Sequence, residues 1–294
     1  MVTTLRLILV MMMVMSSVIS FAKDRLPDSR DDISVMTFNI RCENPNDGDN
    51  NWKFRKERAA NAVKFYNVDI VGMQEVTPAQ QHFFEEKLNG YARIGEGRLS
   101  NGSKHDEFCP LWIKTNRFKI LDSGTFWLSE HPDSVGSCGW DGAYPRIATW
   151  AVLKDKYTGK RLLAMNTHLD HMGEVARLEG SKLLLDKIAG ITGGKFPVVL
   201  TGDFNASPSE VPYQTIIDPQ NPRHLTDSRK VAALVYGPSW TFHGFGNIPY
   251  DKRPFIDYLF VNGDLKVNRY GVLAETENEA FISDHAPALI SISL

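Results

Sequence analysis

The sequence predicts an α/β fold, and three stretches carry that prediction. Pro197-Val198-Val199-Leu200-Thr201-Gly202-Asp203-Phe204-Asn205 is an apolar run, as a buried strand requires, that stops at a glycine and two polar side chains. Asp69-Ile70-Val71-Gly72-Met73-Gln74-Glu75 repeats the form, and Thr77-Pro78-Ala79-Gln80 beyond it joins a capping box to a first-turn proline. Val175, Leu178, Leu185 and Ile188 mark one face of a helix that feeds the first of these runs. Strands and helices therefore alternate, with polar groups where strands end. In open α/β sheets ligands bind in the crevice beyond strand ends, which makes Glu75, Asp203 and Asn205 site candidates.

In chain order, Arg6, the apolar run 7–15 and Ser20-Phe21-Ala22 read as a secretory signal peptide over residues 1–22. A membrane anchor would need about 20 apolar residues, and serines interrupt this segment from Ser16 onward. Residues 23–31 form a polar lead-in, and 32–294 a single domain. A first strand spans 33–40, with Asn39 near its end. The 44–51 segment is a solvated loop, because its acidic positions lack the terminal glutamate of a calcium loop. Ala59, Ala62, Val63 and Tyr66 predict a helix over 54–66, and Asn89-Gly90 ends the helix that begins at Thr77.

Further strands are expected at 108–114, 118–128, 146–154 and 161–167, the last two joined by a turn at 156–160. A helix follows over 173–191. Ser207-Pro208-Ser209-Glu210 reads as another helix start, and 218–254 as loops with a short helix and strand. Strands at 255–261, 265–272 and 286–294 complete the domain.

The chain has 294 residues, 43% of them hydrophobic, and a net charge of -2, with Arg6 the sole charged group of the leader. Proteins that hold long nucleic acids without sequence preference carry a marked positive excess, so a small or localised anionic substrate fits better. Cys42, Cys109 and Cys138 show no C-x-x-C spacing, which argues against a structural zinc site; a single pair with one free thiol stays open. The 137–146 loop carries Trp140, Tyr144 and Arg146, and reads equally as a substrate wall or as a loop tucked against the sheet.

Six motifs stand at or near strand ends: Thr37-Phe38-Asn39-Ile40-Arg41, Gln74-Glu75, Asn166-Thr167-His168-Leu169, Gly202-Asp203-Phe204-Asn205, Ile256-Asp257-Tyr258 and Ser283-Asp284-His285. In this order the chain resembles the endonuclease/exonuclease/phosphatase superfamily, most nearly its deadenylase-like branch and the secreted bacterial relatives. Ala286 departs from the bulky or polar residue frequent there, a change that bears on packing more than on chemistry. The resemblance implies a four-layer α/β sandwich like deoxyribonuclease I, two packed mixed β-sheets flanked by helices, with the site where both sheets converge.

The resemblance also implies roles. Glu75 holds a divalent cation, magnesium or manganese, with Asn39 as a nearby oxygen ligand. His285 is oriented by Asp284 as an acid/base dyad, and Asp203 activates or aligns water. His168 and Asn205 donate to phosphate oxygens, and Asp257 supports His168. The implied protein is an exported phosphoesterase, periplasmic or extracellular, acting on a phosphodiester or phosphomonoester of a small molecule, lipid or nucleic acid. Neither stable membrane insertion nor an obligate protein partner is indicated. The 98–110 and 137–146 loops and the segment around Trp240 are expected to shape specificity, with Arg146 and Trp240 as substrate-binding candidates. A non-catalytic binding module would be expected to have lost Glu75, His168, Asp203 or His285, and all are present. A zinc hydrolase centred on His168 and His171 lacks the first histidine of the metallo-β-lactamase-like motif, since Asn166 stands there; Asp170 and His171 read instead as loop or helix-cap residues.

Overall fold

The chain's first strand, β1 (Ile33–Asn39), leads through a 3-10 segment at Pro45–Asn50 into α1 (Trp52–Phe65), β2 (Ile70–Gln74), α2 (Pro78–Lys87), β3 (Tyr91–Ile94) and β4 (Leu111–Lys114). β5 (Phe118–Trp127), β6 (Ile147–Asp155) and β7 (Arg161–His168) follow, then α3 (Glu174–Thr192), β8 (Val198–Asp203) and α4 (Val211–Ile217). The remainder comprises β9 (Thr226–Asp227), α5 (Ser228–Val231), β10 (Leu234–Tyr236), a 3-10 segment at Tyr250–Lys252, β11 (Asp257–Val261), β12 (Lys266–Val272), the antiparallel pair β13 (Thr276–Glu277) and β14 (Ala280–Phe281), and β15 (Ala288–Ser293). These come from a computed structural model that describes residues 32–262, 265–277 and 280–294. The leader at 1–22 and the lead-in at 23–31 lie outside the described residues. Ile33–Leu294 forms one unit. Among the described residues no helix is long and apolar enough to cross a membrane.

Two mixed sheets result, one ordered β10-β12-β15-β1-β2-β4-β3 and the other β5-β6-β7-β8-β11-β9. The side-chain period of two sorts each strand between two cores. Ile33 and Val35 of β1 and Ile70 of β2 face the second sheet, while Met36, Phe38, Val71 and Met73 pack with Ala59, Val63 and Phe84 of the covering helices. This is the expected arrangement of two packed sheets flanked by helices.

Along the facing strands the buried layer changes character. Beyond Val35 and Ile70 come Thr37, Gly72 and Gln74, opposed by Asn166 of β7 and Thr201 of β8. Gln74 Nε2 donates to Asn166 Oδ1 at 2.7 Å, Thr201 Oγ1 to the same oxygen at 3.0 Å, and Asn166 Nδ2 to the Met73 carbonyl at 2.7 Å. These buried polar groups tie the sheets directly beneath the strand ends, where satisfied bonds favour one register. Gly72 permits the close approach: a Cβ there would come within 2.2 Å of Thr201 Oγ1 and 2.6 Å of Asn166 Oδ1.

The capping box forms at α2, where the Thr77 hydroxyl faces Gln80 N and the Gln80 side chain accepts from Thr77 N. The expected helix start at Ser207 does not. Glu210 Oε2 accepts from Ser207 N at 2.6 Å and Glu210 N donates to the Ser207 carbonyl at 3.0 Å, closing a turn, and α4 begins at Val211 with Pro212 in its first turn. The strand expected from 108 begins at Leu111, and Phe108 instead makes isolated bridges to Val76 and Gly97. Cys42, Cys109 and Cys138 are free thiols.

Candidate active site

Register brings the polar strand ends together. His168 lies opposite Asp203 in the parallel pair β7–β8, and Asp257 lies opposite Asp203 in the antiparallel pair β8–β11. Asn39 supplies the link from the other sheet: its Nδ2 donates to Asp203 Oδ2 at 2.9 Å and to Glu75 Oε1 at 3.0 Å. The remaining oxygen of Glu75 accepts from Cys42 N at 3.0 Å. Arg55, fully buried on α1, holds the turn that carries Cys42 by donating to the Ile40 and Arg41 carbonyls. Arg41, Glu75 and Asn205 adopt left-handed backbone at φ 56, 61 and 46, each within two residues of a strand end. Such non-glycine conformations persist where surrounding bonds enforce them, and they mark this edge as built for placement of side chains.

The two histidines approach Asp203 from different strands. His168 Nε2 lies 3.5 Å and His285 Nε2 3.8 Å from Asp203 Oδ2. His285 Nδ1 bonds Asp257 Oδ2 at 2.9 Å. This corrects two expected pairings. Asp257, not Asp284, orients His285, and His168 is held by Asn205, whose Nδ2 lies 3.0 Å from His168 Nε2 and also donates to the Leu169 carbonyl. Asp284 points elsewhere, accepting from Ser283 Oγ at 3.2 Å and lying 3.8 Å from Arg41 Nε, in the same cleft as Glu75.

Burial and these neighbours divide the charges. Burial, with Asp257 alongside, pushes the Asp203 carboxyl up to about 7. Burial alone would lower His285, but Asp257 outweighs it and raises the imidazole to about 10. Burial, with Arg146 adding to it, pushes His168 well below its ordinary value, while Glu75 pulls it the other way. Burial works against an ionised Glu75, yet His168 and the Asn39 and Cys42 donors hold it lowered to about 2. The edge thus pairs a carboxyl poised near neutrality with a cationic histidine, the separation of protonation states that acid–base chemistry uses.

A divalent cation fits the donors present. Glu75, His168 and Asp203 offer ligand atoms within 4.8 Å of one another, as do Asp203, Asp257 and His285. Glu75 is ionised and, among the described residues, closes no salt bridge with a lysine or arginine, so its charge is left for a cation. Asn39 Oδ1 accepts from Arg41 N at 3.0 Å and keeps one carbonyl lone pair for a ligand role. His171 joins neither group. It bonds Arg146 and stacks on Tyr144, so the dinuclear zinc arrangement with His168 does not form. Asp170 does act as the expected loop cap, accepting from Met172 N and Gly173 N at 2.9 and 2.8 Å ahead of α3.

The site opens into a cleft of about 450 Å³, lined by Glu75, His168, Asp203, Asn205, Asp284 and His285 and walled by Arg98, Glu107, Tyr144 and Arg146. Arg146 therefore stands where a substrate contact was expected. Trp240 does not: it is buried, with Arg253 over its ring and His243 at its edge, and belongs to the hydrophobic core. Two residues on, Phe242 lines the cleft and packs on His285 with ring centroids 4.7 Å apart. Its signal was the alternation of faces in an extended segment, which proposes either Trp240 or Phe242 without choosing. Arg98 and Glu107 carried only the signal of lying in a loop expected to shape specificity.

A family model described as Endonuclease/Exonuclease/phosphatase family matches residues 36–285. The crystal structure of an endonuclease/exonuclease/phosphatase from Bacteroides vulgatus is 44% identical, with 90% of this chain and 99% of that one covered at a TM-score of 0.85. A mannosyl-6-phosphatase from Bacteroides thetaiotaomicron is 33% identical over 89% of this chain and 100% of its own, at a TM-score of 0.81. The CCR4-Not complex exoribonuclease subunit Ccr4 of Emericella nidulans is 22% identical over 90% of this chain, which spans about half of that protein, 52% of its length.

Proposed function

The chain belongs to the endonuclease/exonuclease/phosphatase family of hydrolases acting on phosphoester bonds, and on that premise we propose that it is a divalent-metal-dependent phosphoesterase in which water attacks phosphorus. The observation that carries the reading is the junction at Asn39, whose amide bonds both Glu75 and Asp203 and so couples a cation site to a carboxyl near neutrality. Glu75, with Asn39 beside it, would hold the magnesium or manganese ion, whose charge would offset that of the phosphoryl oxygens. Asp203, with its pKa near the working pH, takes a proton from the attacking water. His285, kept cationic by Asp257, faces the same point and stabilises charge developing on the phosphoryl group; Asn205 and His168 border the same carboxyl.

The compact cleft and the slightly acidic chain favour a phosphomonoester on a small molecule over a long polynucleotide. Likeness to a mannosyl-6-phosphatase supports that choice. Hydrolysis of p-nitrophenyl phosphate and bis(p-nitrophenyl) phosphate is the direct test. Activity is expected with magnesium and lost in excess chelator, and Glu75→Gln should raise the magnesium needed for half-maximal rate by at least about 100-fold. Full activity in chelator, or an unchanged magnesium requirement in the variant, would sink the mechanism. We further propose that the protein is exported by its 1–22 leader, supported by the basic, apolar and small-residue order of that segment. Secreted or periplasmic protein whose first residue is Lys23 is the expected finding, and an intact leader on cytoplasmic protein the contrary one.

A further inference from the structure

We infer that the cleft wall built by Arg98, Glu107, Tyr144, Arg146 and His171, backed by the buried Asp170, is a subsite for the sugar ring of a phosphorylated carbohydrate, a deepening that rests on the phosphoesterase reading. Each arginine in this wall is matched by an anion, Glu107 within the wall and Asp170 behind it. Arg98 gives Nη1 and Nη2 to the two Glu107 oxygens at 3.0 and 2.8 Å. Arg146 gives Nε to Asp170 Oδ2 at 3.3 Å, and its Nη2 meets His171 Nδ1 at 3.1 Å. Nucleic-acid strands are held by cations free to neutralise successive phosphates, and these two are already spent. What the wall offers instead is a set of fixed donors and acceptors with little net charge, which matches a ring of hydroxyl groups.

Tyr144 supplies the second half of such a site. It is 51% exposed, stacks on His171 at 5.9 Å and 16°, and lies under the Arg98 guanidinium at 5.0 Å. An aromatic surface beside paired polar groups suits a pyranose, which has an apolar C–H patch and a hydroxyl rim. The wall is also held rigid against the chemistry. Asp106 accepts from Leu99 N and Ser100 N at 2.9 Å each, and Phe108 pairs with Val76, the residue after Glu75. Asp141 accepts from Ala176 N at 2.7 Å and Val175 N at 3.2 Å, which pins the loop of Tyr144 to the start of α3. A preorganised wall loses little entropy on binding.

The test assays the purified protein with magnesium on mannose 6-phosphate, adenosine 5′-monophosphate and p-nitrophenyl phosphate, alongside Tyr144→Ala and Glu107→Gln. Tyr144 is half exposed, so its truncation spares the core. The native protein should prefer mannose 6-phosphate to the nucleotide in kcat/KM. The ratio of mannose 6-phosphate to p-nitrophenyl phosphate should fall about tenfold in each variant, while Glu107→Gln, by freeing Arg98, should gain on the nucleotide. Preference of the native protein for the nucleotide, or a ratio that neither variant moves, overturns the subsite and leaves the phosphoesterase reading standing. Should no ester be cleaved, that reading falls, and calorimetric titration with mannose 6-phosphate decides the subsite: binding weakened about tenfold by Tyr144→Ala upholds it, and absent or unaltered binding overturns it.

Discussion

Asp257→Asn is expected to lower kcat by about 10⁴-fold, the scale seen when an asparagine replaces the aspartate behind a catalytic histidine. Asp257 Oδ2 accepts from His285 Nδ1 at 2.9 Å, and both groups are buried. An asparagine keeps the shape but not the charge, and it can bond the wrong tautomer. His285 then returns toward the neutral state that its burial favours. The pair has a signature in stability as well as rate. Because the folded pKa of His285 is raised to about 10, the stabilisation it draws from Asp257 is fully present below the unfolded histidine value of about 6.5 and is lost as pH rises through 10. Urea unfolding between pH 6 and 10 should show that decline in the native protein and a flatter profile in the variant. Asp284→Asn should instead raise the magnesium requirement, since Asp284 shares the cleft with Glu75, and should leave the stability profile in place. A variant at Asp257 within a few-fold of native kcat, or a flattened profile from Asp284→Asn, would return the dyad to Asp284.

That assignment shows where sequence reading reached its limit. Strand ends, helix starts and the polar residues at them are local properties: the Thr77–Gln80 capping box and the apolar run into Asp203 are visible in a few consecutive residues, and the fold delivers both. Pairing is not local. Asp284 adjoins His285 in sequence, but consecutive residues near an extended strand point apart, and His285 Nδ1 instead meets Asp257, 28 positions away, which the antiparallel register of β8 and β11 sets beside Asp203. Trp240 and Phe242 pose the same difficulty on one segment, where only tertiary packing tells the core side from the cleft side. Ser207-Pro208-Ser209-Glu210 carries a capping signature that closes a turn instead, because Glu210 folds back onto Ser207 before any helix begins. The ion-paired wall of Arg98 and Glu107 was illegible for a different reason: two charges in a polar loop read as solvated until the loop is folded.

Asp203→Asn should cripple catalysis and stabilise the metal-free protein above neutral pH. The loss of rate, on the order of 10³-fold or more, follows from removing the group proposed to accept the water proton. The gain in stability follows from the same burial that makes the group useful. Asp203 is buried beside Asp257, and its pKa is raised to about 7. A folded state that holds its proton more tightly than the unfolded chain loses stability as pH rises from about 4, the unfolded aspartate value, through 7. The asparagine does not titrate, so its advantage over the native residue should grow across that window and level off above it. Asn39 Nδ2 keeps Glu75 Oε1 as an acceptor in the variant, which limits the cost of losing one carboxylate oxygen. Thermal unfolding in chelator at pH 5 and pH 8 measures the difference, and magnesium at pH 8 should narrow it by stabilising the ionised native site. A variant less stable than the native protein at pH 8 by the same margin as at pH 5 would mean that Asp203 bears its charge without strain and is no base near neutrality.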